Sequence, residues 1–560
     1  MNVWTKLLIT ALLITPSGAF IACARADDTE RGATGLPIVF SIRLPAVPTD
    51  EELESQHACI GQIEVEVNEL FPDEVRALAA PYRIANGLHI ATRKPTITQQ
   101  LLFHAGEPYK RSTLDETERL LRAQRYLREA TIEPIRYNDD GTVDVRVRVH
   151  DVWTLSPGIS FGRKGGKNST RFEFEDTNVL GFGKQISISR SSDVDRSAWR
   201  LAYTDPHVLG SWWQLSGARG SLSDGSETSF ALARPFYSLN SRWSLGGSFA
   251  DVTSSVARYS HGEAVDRFQM RERNFDLGGG VSSGLSGGWT RRWLAGVRHQ
   301  QRSFSDTTDL WRGTLPEDRT LTYPWVGVEL IEDSYIETHN LNQIGRTEDV
   351  YLGRSLRAQI GFASEELGST RDALMLKTAA QMGTALGADQ YLIHTFGLDA
   401  RLEDGALRNA VIDAGTSYYR RHSARRVLFA SVTASLASQL DPERQLLLGG
   451  DNGLRGYPLR YQSGTARALF TIEERLYSNW QPLKLFDVGA AAFFDAGRTW
   501  GRDPFAAGSS GWLKDIGVGL RLGSARSGLG NVLHVDLAFP LDGGRDLDSV
   551  QLLVETKRSF

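Results

Sequence analysis

From residue 153 onward the chain alternates apolar and polar residues in short segments, separated by Gly, Asp, Asn and Ser. Gly158 to Arg163, Thr170 to Phe174, Gln185 to Ser189, Trp243 to Phe249 and Gly517 to Leu522 are examples. A period of two places successive side chains on opposite faces of a strand, and segments of roughly ten residues match a tilted membrane-crossing strand. Within Asp487 to Gly497 one face carries Asp487, Gly489, Ala491, Phe493, Asp495 and Gly497, the other Val488, Ala490, Ala492, Phe494 and Ala496. The second face is wholly apolar and suits lipid, so Asp495 is expected inside. In Arg467 to Tyr477, Ala468, Phe470, Ile472 and Leu476 share the outer face, with Glu474 as an exception. Arg467, Thr471, Glu473 and Arg475 share the inner one. Trp212, Trp213, Trp289, Trp293, Trp325, Trp480 and Trp500 stand near segment ends, as interfacial girdles do. A soluble β-sandwich or propeller also alternates. A run this long, with few prolines and no blade-length repeat, favours a closed transmembrane antiparallel β-barrel. At about 25 residues per strand and connection the length predicts about 16 strands, while the tally of candidate segments runs higher.

Residues 59–152 follow a different pattern. Ile63, Val65 and Val67 alternate with Gln62, Glu64 and Glu66, a half-buried strand. Thr96, after Pro95, is a candidate cap for a short helix carrying Ile97 and Leu101 and ended by Gly106. Thr113 and Glu116 have the spacing of a capping box, and the helix behind them would turn Leu114, Leu120, Leu121 and Leu127 inward. Ile132 to Tyr137 and Val143 to Val149 read as a hairpin around Asn138-Asp139-Asp140-Gly141. The order strand, helix, helix, strand, strand predicts a small α+β domain, and the residues between Phe71 and Lys94 exceed what it needs. Residues 27–58 hold Pro37, Pro45, Pro48 and the acidic run Asp50-Glu51-Glu52, and read as a linker or loose arm. Residues 1–26 read as an export signal: Lys6, an apolar Leu7 to Ile14 too short to span a bilayer, and Ala24-Arg25-Ala26 before a cleavage point. Lipidation at Cys23 stands beside that reading as an alternative.

Composition removes several classes of function. A net charge of -4, from 63 Lys+Arg against 67 Asp+Glu, leaves no electrostatic footprint for nucleic acid. Of the 2 cysteines, Cys23 lies within the signal, so Cys59 is expected to remain alone and no disulfide framework is foreseen. The 11 histidines show no metal-ligand spacing, and no Gly-x-Ser-x-Gly elbow stands between a strand and a helix. Gly165-Gly166-Lys167 lacks the frame of a phosphate-binding loop. His422 with Ser423, and His534, are the nearest material to an outward Ser/His pair of a barrel phospholipase; each reads as an ordinary barrel residue. No catalytic residue, metal or cofactor is expected.

The most informative stretch is Leu448-Gly449-Gly450-Asp451-Asn452-Gly453-Leu454-Arg455-Gly456-Tyr457-Pro458, a glycine-rich loop about a hundred residues before the C-terminus. Phe493-Phe494-Asp495-Ala496-Gly497 follows, and the chain ends in Phe560. With the domain ahead of the barrel, these features resemble the BamA/TamA-like superfamily of outer-membrane assembly and transport proteins, also called the bacterial surface antigen family. The α+β domain then resembles a periplasmic POTRA domain. The resemblance implies that Arg455, Gly456 and Tyr457 lie on a loop folded back into the barrel, and that Asp495 and Gly497 belong to a motif on a following strand. Because an arginine carried inward needs a carboxylate there, Arg455 is expected to pair with Asp495, with Glu473 nearby. The resemblance also implies a barrel seam between the first strand, near Gly158, and the last, ending at Phe560; Arg558 departs from the apolar residue usual there.

Function, by the same resemblance, is the insertion or translocation of protein or lipid substrates at the bacterial outer membrane. The POTRA-like domain in the periplasm would receive unfolded or exported protein clients at an exposed sheet edge, and neither nucleotide nor cofactor would be needed. A two-partner-type secretion translocator and a passive porin-like channel are the alternatives.

Overall fold

The computed structural model describes residues 10–11, 47–68, 89–307, 315–482, 485–505, 511–524, 532–542 and 547–557. It divides into two compact units, one running up to Thr154 and including Asn178–Gly183, the other holding Leu155–Thr177 and the chain from Lys184 onward.

The first unit is a three-stranded sheet with helices. Helix α1 (Asp50–Ser55) precedes strand β1 (Cys59–Asn68); helices α2 (Lys94–Thr98) and α3 (Arg111–Arg122) follow, then strands β2 (Leu127–Tyr137) and β3 (Thr142–Asp151). The order is β1-β3-β2, with β1 parallel and β2 antiparallel to β3. Val143, Val145, Val147 and Val149 alternate into the core beside Leu114, Leu121 and Ile132. On the other face Arg146 and Arg148 pair across strands with Glu64 and Glu66 at 3.1 and 3.2 Å. The outer edge of β2 is covered by α3, where Arg111 and Glu118 bond the backbone of Ile132 and Arg122 that of Ala130, and the start of β1 pairs with residues 106–108.

Several local expectations are corrected here. The acidic run read as a loose arm is the first turn of α1, and the capping box is Thr49 with Glu52. Three carboxylates beside the free N–H groups of a helix start stabilise it. Helix α3 begins at Arg111, so Thr113 lies inside it, where its backbone carbonyl accepts from the Thr117 hydroxyl. Leu127 belongs to β2, not to the helix. Thr96 sits within α2 and donates to the Gly181 carbonyl at 2.8 Å. Cys59 is disulfide-bonded; the chain's other cysteine, Cys23, lies outside the described residues. The export-signal and lipidation readings and most of residues 71–94 also fall outside the described residues.

The second unit is a closed antiparallel barrel of 20 strands. It begins with β4 (Leu155–Lys164) and ends with β9 (Gln551–Lys557); four strands near its C-terminal end carry the site, β5 (Ala466–Tyr477), β6 (Phe486–Trp500), β7 (Leu513–Ser524) and β8 (Val532–Pro540). The count of about 16 is too low because many connections are minimal: Gly165-Gly166, His261-Gly262, Gly287-Gly288 and Asp404-Gly405 each turn the chain in two residues. Glycine at positive φ suits such hairpin turns, and strands joined this way need fewer residues each than a mean of ~25. The described barrel strands are uneven, from 7 residues at β9 to 24 at Glu263–Ser286.

The outside is apolar. Ile159, Phe172, Phe174, Trp199, Leu201 and Trp293 are all about half exposed or more. No described helix is long and apolar enough to cross a membrane. Trp325, assigned above to the girdle, is instead buried on the inner face with Leu321 and Tyr323, its parity mates. The seam lies between the first and last strands, β4 and β9, and Gly158 is on β4. Gly158 faces Glu173 on the neighbouring strand, and among the described residues the first and last strands meet at Arg163 with Val554. Lys164 pairs with Glu555 beside it. Phe560 lies outside the described residues.

Candidate functional site

Consecutive antiparallel strands turn alternately at the end where Leu155 enters the barrel, the entry end, and at the opposite far end. Residues 439–465 connect strand Arg426–Ser438 to β5 at the far end, and this loop returns into the lumen. It carries its own short ladder, Leu446–Leu448 against Gln462–Gly464. The turn inside it is held by its backbone: Leu454 N donates to the Gly449 carbonyl at 3.1 Å and Gly450 N to the Pro458 carbonyl at 2.9 Å. A run of glycines permits that path because the loop folds on itself too tightly for side chains.

Arg455 is the charged tip. Its Nε and Nη2 donate to the two oxygens of Asp495 at 2.7 and 3.0 Å, and its Nη1 donates to Glu473 at 2.7 Å. Its guanidinium lies 3.4 Å over the Phe493 ring. Thr471 adds a hydrogen bond to Asp495 at 2.8 Å. Glu473 also accepts from Arg475 at 3.0 Å and from Arg521, and Arg521 pairs with Asp536. These charged groups are nearly excluded from solvent, Asp495 and Arg521 completely. They alternate into the lumen on β5 to β8, so strand parity alone puts them in one layer. A bidentate Arg–carboxylate pair in such surroundings fixes direction as well as distance, which suits an anchor.

The neighbours of Arg455 serve its approach. Tyr457 is fully buried, and its hydroxyl bridges the Lys514 and Asp542 carbonyls at 2.9 and 2.7 Å. Gly456 runs against β7: a Cβ there would stand 2.6 Å from the Asp515 Cβ. Gly456→Ala is therefore expected to lower barrel stability by about 1–3 kcal/mol through overpacking. The thermal midpoint of the folded, heat-modifiable band checks this, and an unchanged midpoint refutes it. Gly497 makes room for Leu448 of the loop, whose Cδ2 would lie 3.1 Å from an added Cβ.

A second anchor holds the loop nearer its base. Asp441 accepts from Arg401 at 2.9 and 2.8 Å and pairs with Arg319 at 3.0 Å. Glu443 pairs with Arg319 at 2.6 Å and with Arg302 at 3.0 Å. Burial opposes ionisation of Asp441, but Arg401 and Arg319 outweigh it and hold its carboxyl below the usual carboxylate range. Farther along, Arg460 makes a bidentate pair with Asp195 at 2.8 and 2.5 Å, in the far-end turn of a distant hairpin. Sequence reasoning missed all three acids. The signal available was parity along Arg319–Glu332, which puts Arg319 on the same face as Leu321, Tyr323 and Trp325; nothing local pointed from there to Asp441.

The loop thus braces the barrel on opposite arcs of its wall. Among the described residues no group of His, Cys, Asp and Glu is arranged to hold a metal ion. His422, Ser423 and His534 make no Ser/His pair: His534 faces inward on β8, while His422 and Ser423 are on another strand.

The chain is similar to BamA and CdiB. BamA from Haemophilus ducreyi lacking POTRA domains 1-3 shares 12% identity over 89% of this chain and 85% of its own, with a TM-score of 0.38. CdiB from Acinetobacter baumannii shares 12% over 90% and 73%, at 0.42. CdiB from Escherichia coli shares 15% over 90% and 76%, at 0.46. No family model and no curated protein matches the chain.

Proposed function

We propose that this protein lies in the bacterial outer membrane, with its N-terminal domain in the periplasm, and inserts or translocates protein or lipid substrates there. It does so without nucleotide, cofactor or a covalent step. The observation that carries this reading is a closed, apolar-sided barrel whose lumen holds an anchored loop, Arg455 on Asp495 and Glu473. A passive pore has no need of a braced loop across its lumen. The seam between β4 and β9 is where such a barrel would open, and among the described residues these strands share one residue pair. The outer edge of β1 after Ile60, which no described strand pairs, offers a place for an extended client to add a strand.

The test is the outer-membrane proteome after depletion of the protein. Loss of several other barrels is the expected result and supports insertion. Loss of one exported protein supports the two-partner-type translocator, and a change in small-solute permeability with an intact proteome overturns both in favour of a porin-like channel.

A further inference from the structure

Residues 333–353 connect strands Arg319–Glu332 and Arg354–Ala363 at the entry end, where most barrel connections are short. They form a separate hairpin, Tyr335–His339 against Thr347–Tyr351, that takes no part in the barrel sheet. An exposed connection of this kind would be polar and solvated. This one is not. Leu341 is 0% exposed and Ile344 7%, and they pack on Tyr391, Tyr419, Val427, Tyr477, Ala491 and Val532, each on a different wall strand. Only a segment inside the barrel can touch so many strands at once.

Its tip is built, not loose. Glu348 accepts from the backbone N–H of Leu341 at 2.7 Å and of Asn342 at 2.9 Å, and Gly345 N donates to Asn340 Oδ1 at 2.7 Å. The wall then holds the tip: Asn340 Nδ2 donates to the Ala424 carbonyl at 3.1 Å and Tyr419 OH to Asn342 Oδ1 at 3.1 Å. The decisive contact is Arg475, whose Nη1 donates to the Leu341 carbonyl at 2.7 Å while its Nε donates to Glu473 at 3.0 Å. The other Glu473 oxygen takes Arg455 from the far-end loop.

We infer that residues 333–353 are an internal plug closing the entry end of the lumen, latched to the far-end loop through Arg475 and Glu473. The two closures hang on neighbouring, mutually bonded side chains of one wall strand, the plug on Arg475 and the far-end loop on Glu473, so release of either changes the partners of that pair, and passage requires both to release. This rests on the reading of the chain as a membrane barrel and is independent of which client it handles.

The experiment uses the full-length protein in planar bilayers, with heat-modifiable mobility as the check that the barrel is intact; a wild-type protein that never forms such a barrel defeats the membrane reading itself. Replacing residues 336–350 with a short Gly-Ser turn is expected to raise single-channel conductance several-fold, and Arg475→Gln to raise the open fraction. Conductance equal to wild type in both folded variants overturns the plug. A second measurement needs no deletion. An added Cβ on Gly523 would lie 3.3 Å from the Ile344 Cβ, close to the ~3.5–4.5 Å spacing of disulfide-linked Cβ atoms. Ile344→Cys with Gly523→Cys should crosslink, as read by mass spectrometry of the linked peptide, and hold conductance at its closed level until reductant is added. Absence of that crosslink in a folded barrel, or opening that reductant does not affect, also overturns the proposal.

Discussion

Arg455→Ala is expected to destabilise the barrel by about 3–5 kcal/mol, because it leaves Glu473 and Asp495 buried without their shared cation. Asp495 is fully buried, and besides Arg455 it meets Thr471, which is neutral, and Asp515 opposite it on β7, neither of which supplies a cation. Glu473 keeps Arg475 and Arg521, so the loss concentrates at Asp495. Two companion variants separate charge from geometry. Arg455→Lys should recover only part of the stability, because an ammonium cannot span both oxygens of Asp495 and reach Glu473. Arg455→Ala combined with Asp495→Asn should cost less than the two single changes summed, since the pair is coupled. Thermal unfolding in detergent, followed by heat-modifiable mobility, reads all of these. A single-alanine variant that melts with wild type removes the anchor from the account.

The second large effect is expected at the loop base. Asp441→Ala with Glu443→Ala strips acids from Arg302, Arg319 and Arg401, which face the lumen. Arg302 retains Glu272 and Arg401 retains Glu403, whereas Arg319 pairs with the two removed acids. A loss of about 3–5 kcal/mol follows from an uncompensated buried charge, and Arg319→Leu in the same background should restore part of it. Protease digestion of intact cells is the sensitive readout: the loop should become cleavable between residues 439 and 465. Resistance equal to wild type counts against the second anchor. Acid acts in the same direction. The carboxyl of Asp441 titrates lower when folded than when unfolded, so its contribution is full above the unfolded carboxylate range and fades as pH falls through the folded value. Acidification should therefore loosen the loop in the wild-type protein and change little in the double variant.

Parity explains what was readable in the chain and what was not. Along Asp487 to Gly497 one row is wholly apolar, which is enough to turn Asp495 inward without knowing its neighbours. Arg467 to Tyr477 behaves the same way for Glu473, and Glu474, the one polar residue on the outer row, pairs with Arg426 on the adjacent strand. The helix boundaries were harder: Thr113 and Glu116 have the right spacing for a capping box, but the helix had already begun, and the box formed at Thr49 and Glu52 instead. Spacing tells which partners can meet, not where the first turn starts. Trp325 shows a similar limit, since an aromatic near a segment end fits a girdle or a lumen cluster equally until its parity is compared with Leu321 and Tyr323.

By itself the sequence determined that the C-terminal part is a strand-built cylinder, which face of β5 and β6 looks inward, and that a glycine-rich loop carries an arginine. Those are local properties, set by a two-residue period and by the backbone freedom of glycine. Tertiary structure alone decided the strand number, the register of the seam, the hold of Arg302, Arg319 and Arg401 on the loop base, and the entry of residues 333–353 into the lumen. Each depends on residues far apart in the chain meeting across a closed ring, and closure depends on register and turn length summed over every strand, which no single segment encodes.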